Sequence, residues 1–261
     1  MKEINIFLTA LMFYTRIPCY RWTGYRPDYI NQSIRYFPLI GWIVGIISSI
    51  AYLLGTYLIN TSFGVIASMI ASILITGGFH EDGFADSCDG FGGGWTKEKI
   101  LSIMKDSRVG AYGVIGLILL FLTKHSLMVK ISTTFPNLTI GLVIISAHSL
   151  SRWIASINVF ILDYVRDTVD SKTKPIAKQS GYINLIIGSL FGITPLIIFA
   201  LFTDSFKHLI TIPSLVLVNI LLARYFKKWI GGYTGDCLGA AQQIVETSFL
   251  FILIVIWKFT L

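Results

Sequence analysis

Charge is scarce in this chain. Of its 261 residues only 13% are Asp, Glu, Lys or Arg, against 54% hydrophobic, and the mean hydropathy is +0.71. That balance excludes an ordinary water-soluble domain and places the chain in the membrane class. Cysteine is scarce as well. Cys19, Cys88 and Cys237 form no C-x-x-C pair and no zinc-ligand spacing, which excludes a disulfide framework and leaves reduced thiols as the expected state. There is no G-x-x-x-x-G-K-[ST] loop, dinucleotide fingerprint or H-E-x-x-H string, so P-loop hydrolysis and zinc proteolysis have no support. Internal repeats and low-complexity tracts are also missing. The N-terminal apolar run from Ile4 to Tyr14 is followed by Arg16 without a small-residue cleavage pattern, so it is read as retained. It is short of the roughly 20 residues a span needs, which makes it an interfacial or re-entrant segment.

What is present is apolar and long. Runs able to cross hydrocarbon lie near residues 37–58, 61–79, 110–130, 138–161, 182–202, 209–225 and 239–258. Unpaired backbone amides are not tolerated in lipid, and these runs are too long and too unalternating for barrel strands. The expected fold is therefore all-α: a polytopic bundle of about seven transmembrane helices plus the short N-terminal segment, with residues 1–261 forming one membrane-embedded catalytic domain. Gly64, Gly116, Gly141 and Gly188 interrupt the apolar runs and read as close helix contacts. The net charge of +7 is spread through short loops rather than gathered in one patch, which argues for lipid head groups and anionic substrates as partners and against nucleic acid. Segments 16–35, 80–109, 162–181 and 224–238 hold four, four, four and three of the 21 cations, including Arg21, Arg26, Lys172, Lys174 and Lys178. The loops between them hold almost none, so the charged ends are expected on one side, the cytoplasm.

That side also carries the acids. Residues 77–94 contain Glu81, Asp82, Asp86 and Asp89, four of the chain's 14 carboxylates within nine positions. If the preceding helix continued through this glycine-rich loop, Asp82, Asp86 and Asp89 would stand at i, i+4 and i+7 on one stripe. Like charges so placed repel unless a cation neutralises them, and oxygen donors suit a hard ion such as Mg²⁺, which takes a few carboxylates together with substrate phosphates. Gly77, Gly78, Gly83, Gly90 and Gly92 to Gly94 would let a phosphate approach the backbone; a plain solvated loop is the bland alternative. His80 is either a base or ligand, or an ordinary hydrogen-bonding residue. Cys88, beside Asp89, is not expected to ionise.

Downstream, Lys105 and Arg108 stand three apart at the entrance to the next span, placed either to hold phosphate oxygens or simply to anchor that end. Asp236 opens the last span from a glycine-rich loop, where helix capping competes with a role in the site. Arg152 and Asn158 fall within a span; a buried cation there needs an anion or a wet cavity, so Arg152 either faces the same pocket or snorkels.

These strings resemble the cobalamin synthase family, the adenosylcobinamide-GDP ribazoletransferases. The resemblance rests on Phe13-Tyr14-Thr15-Arg16-Ile17-Pro18, on Arg35-Tyr36-Phe37-Pro38-Leu39-Ile40-Gly41, and on His80-Glu81-Asp82-Gly83-Phe84-Ala85-Asp86-Ser87-Cys88-Asp89-Gly90. It extends through Met104 to Gly113, Ser151-Arg152-Trp153, and Gly231-Gly232-Tyr233-Thr234-Gly235-Asp236-Cys237-Leu238-Gly239-Ala240, and runs nearly end to end. It implies a Mg²⁺-dependent inner-membrane transferase that joins adenosylcobinamide-GDP to α-ribazole or its 5′-phosphate and releases GMP. It further implies Glu81, Asp82, Asp86 and Asp89 as metal ligands, with one of them (Asp82 or Asp86) or His80 accepting the nucleophile's proton. Lys105, Arg108, Asp236 and Arg152 are then expected on the substrates, and a homo-oligomer stays open. A lipid-making CDP-alcohol phosphotransferase shares the clustered-Asp design but expects Arg where Asp86 stands. An ion-coupled transporter would bury its carboxylates near the bilayer midplane.

Overall fold

A computed structural model describes residues 2–19, 27–166 and 181–260; Arg21, Arg26, Lys172, Lys174 and Lys178 lie outside them. Among the described residues the chain is helical throughout: α1 (Lys2–Tyr14), α2 (Pro27–Ser33), α3 (Phe37–Leu58), α4 (Thr61–Thr76), α5 (Phe79–Gly93), α6 (Lys97–Lys105), α7 (Ala111–Ser132), α8 (Asn137–Ile161), α9 (Tyr182–Phe202), α10 (Thr211–Ile230) and α11 (Gly235–Thr260). Six segments are long and apolar enough to cross a membrane: Tyr29–Leu58, Ala111–Ser132, Asn137–Ile161, Tyr182–Phe202, Phe206–Ile230 and Gly235–Phe259. The seventh expected span is α4, and its pair with α5 is bent by 91°. With 13 residues, α1 reaches only about 20 Å at 1.5 Å per residue, too short to span.

α8 is the central post. It is buried along most of its length, including Ser146, Ser149, Ser151 and Asn158, and packs on α3, α9 and α11. Small residues bring these helices close. Ser49 of α3 donates to the Gly141 carbonyl at 3.1 Å, and a Cβ on Gly64 would strike the Tyr52 carbonyl at 2.6 Å, so α3 and α4 meet backbone to backbone. Asn158 and Asn219 satisfy one another through reciprocal amide bonds of 2.8 and 3.1 Å. Apolar side chains such as Tyr57, Leu74, Leu122 and Leu190 point outward, as expected where lipid rather than water surrounds the bundle.

The largest departure from the sequence reading is at residues 80–110. The acidic stretch is not a loop but two helices, α5 and α6. Gly77 and Gly78, with φ of 70° and 71°, take two consecutive left-handed conformations that end α4 and open α5 at the new angle. Glu81 and Asp82 then sit in the first turn of α5, where the exposed amide ends of the helix favour negative charge. Four carboxylates in 15 residues suit water or a polar cleft rather than lipid. α5 therefore runs across the end of the bundle and is not itself a span.

Candidate functional site

Described parts of the cationic segments come together at this end. The Arg16 amide donates to the Ile75 carbonyl at 2.7 Å. Segment 162–166 is tied to segment 231–234 by a parallel bridge between Tyr164 and Tyr233, with Val165 N to Tyr233 O at 3.0 Å and Tyr233 N to Asp163 O at 2.8 Å. Gly232 permits that bridge, because a Cβ there would collide with the Asp163 carbonyl. The bridge delivers Arg166, whose guanidinium binds an Asp236 Oδ at 2.5 Å and the Met104 carbonyl at 3.1 Å.

α5 and α11 pack so closely that a Cβ on Gly83 would stand 3.0 Å from the Asp236 backbone, and one on Gly239 would stand 3.0 Å from the His80 carbonyl. This contact sets Asp82 and Asp86 opposite Asp236. Burial first, then Asp236 and Asp82, push the Asp86 carboxyl up to about 7, with Arg166 opposing. Asp236 is not needed as a helix cap: Thr234 Oγ1 accepts from the Cys237 amide at 3.2 Å and does that job. Two clefts meet at Asp82. One, of about 780 Å³, is walled by Tyr164, Tyr233, Arg166 and Asp236; the other, of about 1180 Å³, is formed by Arg16, Gly77, Gly78 and Glu81. Phe13 and Phe79 border both.

The other expected residues are placed differently. Asp89 is buried and accepts from the amides of Gly110 at 2.7 Å and Gly113 at 2.8 Å, so its carboxylate is held at the amino end of α7. Glu81 turns into the bundle, where Oε1 accepts from Gln243 at 2.9 Å. Gln243 continues to Lys124 (2.5 Å), Lys124 to Glu246 (2.6 Å), and Glu246 to Gln242 (2.6 Å) and His148 (3.2 Å). Arg152 belongs to this interior network. It lies 1% exposed, donates to the His148 carbonyl at 2.9 Å and stands over the Phe37 ring at 5.7 Å, so it neither snorkels nor reaches the clefts at Asp82. His80 is buried against Phe37 at 5.6 Å. Burial and then Arg152 hold its imidazole well below the usual histidine range, hence neutral. α6 ends at Lys105, which is exposed. Arg108 forks onto Asp106 in an exposed pair at 2.6 Å, and that fork holds Asp106 down at about 2. Neither cation borders the clefts. Cys88 behaves as expected, with burial and Asp89 pushing its thiol up.

The glycines are spent on packing rather than on a phosphate cradle. Cβ atoms on Gly90, Gly92 and Gly94 would meet Met104, Tyr112 and Ile100 at 2.6 to 2.7 Å; of the glycines between residues 77 and 94, only Gly78 has open space around it. Arg16, Tyr164 and Arg166 are site residues that the sequence reading left as motif or loop positions. The signal present was the pairing of short polar strings, Asp163-Tyr164-Val165-Arg166 and Gly232-Tyr233, each flanking a span at the charged end.

The carboxylates suit a hard divalent ion in kind but not as a finished cage. Asp89 and Glu81 are engaged elsewhere, and among the described residues no three His, Cys, Asp or Glu side chains gather as a metal-binding group. Asp82, Asp86 and Asp236 remain, with oxygens of the kind such an ion takes alongside water and substrate oxygens.

Fold and site together define a polytopic helical membrane protein with a two-cleft, carboxylate-and-arginine face suited to phosphorylated substrates. The family model described as Cobalamin-5-phosphate synthase matches residues 6–254, and the chain belongs to that family. It is 43% identical over 255 residues to the adenosylcobinamide-GDP ribazoletransferase of Shewanella halifaxensis, covering 98% of this chain and 96% of the relative. It is 42% identical over 256 residues to that of Shewanella piezotolerans, with the same coverage. No solved structure matches.

Proposed function

We propose that the chain joins adenosylcobinamide-GDP to α-ribazole, or to its 5′-phosphate, and releases GMP, at the cytoplasmic face of the inner membrane. The observation that carries this reading is the facing of Asp82 and Asp86 towards the Asp236 and Arg166 pair, in a member of this family, where two clefts converge on Asp82. In the reaction a ribose hydroxyl oxygen bonds to the phosphorus on the cobinamide side of the diphosphate, and the bond from that phosphorus to the bridging oxygen breaks, with GMP carrying the electron pair away. Bound Mg²⁺ would neutralise the phosphoryl oxygens and the leaving phosphate, held by oxygens of Asp82, Asp86 and Asp236. A carboxylate oxygen of Asp82 or Asp86 not engaged by the metal would take the hydroxyl proton. Arg166 keeps Asp236 in place, and the interior bond from Gln243 keeps α5 seated on α11.

The test is chemical. Purified protein in lipid, given adenosylcobinamide-GDP, α-ribazole and Mg²⁺, is expected to yield a new corrinoid and GMP in equal amounts, and neither when a chelator is added. Corrinoid formation that ignores the chelator would remove the metal from this reading; no corrinoid under any condition would remove the reaction.

A further inference from the structure

We propose that the two clefts meeting at Asp82 divide the substrates: the Arg16 cleft takes the diphosphate donor, and the Tyr164 and Tyr233 cleft takes the aromatic nucleoside acceptor. The assignment deepens the ribazoletransferase reading and rests on it. Charge decides which cleft takes which substrate. In the smaller cleft the guanidinium of Arg166 is already matched by Asp236 at 2.5 Å and by the Met104 carbonyl at 3.1 Å, so a second anion entering there would compete with a carboxylate in place. The rings found in this cleft alone are Tyr164 and Tyr233, edge to face at 5.5 Å, and they add to Phe13 and Phe79, which both clefts share. Such rings offer stacking and apolar contact to a flat heterocycle.

The larger cleft differs in its cation, Arg16. The Arg16 side chain crosses Gly77 so closely that a Cβ there would touch its Nε. That places the cation at the break between α4 and α5, beside the amide end of a 15-residue helix. Among the described residues no carboxylate pairs with Arg16. A guanidinium and a helix amino end aimed at the same space suit a diphosphate. At about 1180 Å³ against about 780 Å³, this is also the cleft for the bulkier substrate. Asp82 borders both, so a hydroxyl arriving from one side and a diphosphate from the other meet at the same carboxylate.

Equilibrium titration of each substrate separately, by calorimetry on the full chain in lipid nanodiscs, tests the partition. Arg16→Gln is expected to weaken adenosylcobinamide-GDP about tenfold or more and to leave α-ribazole within about twofold. Tyr164→Ala is expected to do the reverse, losing about tenfold for α-ribazole, while Tyr164→Phe, which keeps the ring, stays near wild type. Arg16→Lys guards against a folding defect, since it keeps the charge and should retain part of the donor affinity. Equal losses of both substrates in each variant, the opposite pairing, or no loss in either would overturn the partition. Wild-type protein that binds both substrates in the expected pattern yet forms no corrinoid would refute the reaction and leave the partition standing. Normal turnover with unselective variants would do the converse.

Discussion

Asp86 carries most of the electrostatic tension at this end of the molecule, because it shares a half-buried position with the carboxylates of Asp236, Asp82 and Asp89 and with one nearby arginine, Arg166. Its folded value of about 7 lies above the ordinary 3.8, so the folded state holds a proton that the unfolded chain gives up. Stability therefore falls as pH rises from about 4 to about 7, and the penalty is complete above that. In chelator, Asp86→Asn is expected to raise the apparent unfolding temperature at pH 8 and to change it little at pH 4, while abolishing turnover. Mg²⁺ should stabilise wild type at pH 8 and the variant much less. A variant no more stable than wild type at pH 8 would mean that these carboxylates do not strain one another. The spacing of Asp82 and Asp86 made their shared face legible, because i and i+4 coincide on any helix. Asp89 lies on the same stripe, but its partners are the amides of Gly110 and Gly113, which no local spacing announces. Asp236 was left between a cap and a site residue, and only the fold shows Thr234 doing the capping.

At the scale of elements, the glycines decide how α5 and α11 meet. A Cβ on Gly83 would press on the Asp236 backbone at 3.0 Å, and backbone cannot swing aside. Gly83→Ala is expected to cost about 1–3 kcal/mol of stability and to lower turnover at least about tenfold through displaced carboxylates. Gly78→Ala meets no atoms within 4 Å. Its cost is the left-handed backbone alone, about 1 kcal/mol, with a smaller loss of turnover than in Gly83→Ala. Thermal unfolding and GMP release measured on both variants check this, and equal activity losses would contradict the packing argument. The spans were legible because hydrocarbon demands long apolar runs, and their ends moved by only a few residues. The path from residue 77 to residue 105 was not. Its glycines look like a loop's, but they are contact points for Met104, Tyr112 and Ile100 brought in by the fold.

Across the whole molecule, the charged end sits on a buried polar column. Lys124 and Glu246, with side chains 8% and 9% exposed, lie about 16–20 Å along their helices from that end, among Gln242, Gln243, His148 and Arg152. Breaking such a pair costs more than replacing it. Lys124→Met alone is expected to destabilise the protein by about 3 kcal/mol, and Lys124→Met with Glu246→Met should recover most of that loss. Unfolding in lipid checks it, and a double variant as weak as the single would contradict a paired role. The sequence showed Arg152 as a cation needing an anion but could not show that Glu246, some 90 positions away, belongs to its neighbourhood.

The central claim, that Asp82 stands where bound metal and both substrates meet, is tested most directly by GMP release over a Mg²⁺ titration in wild type and Asp82→Asn. The account predicts a saturable Mg²⁺ requirement in wild type and no GMP from a folded, membrane-inserted variant at any Mg²⁺ concentration. GMP release by Asp82→Asn at the wild-type rate would contradict it.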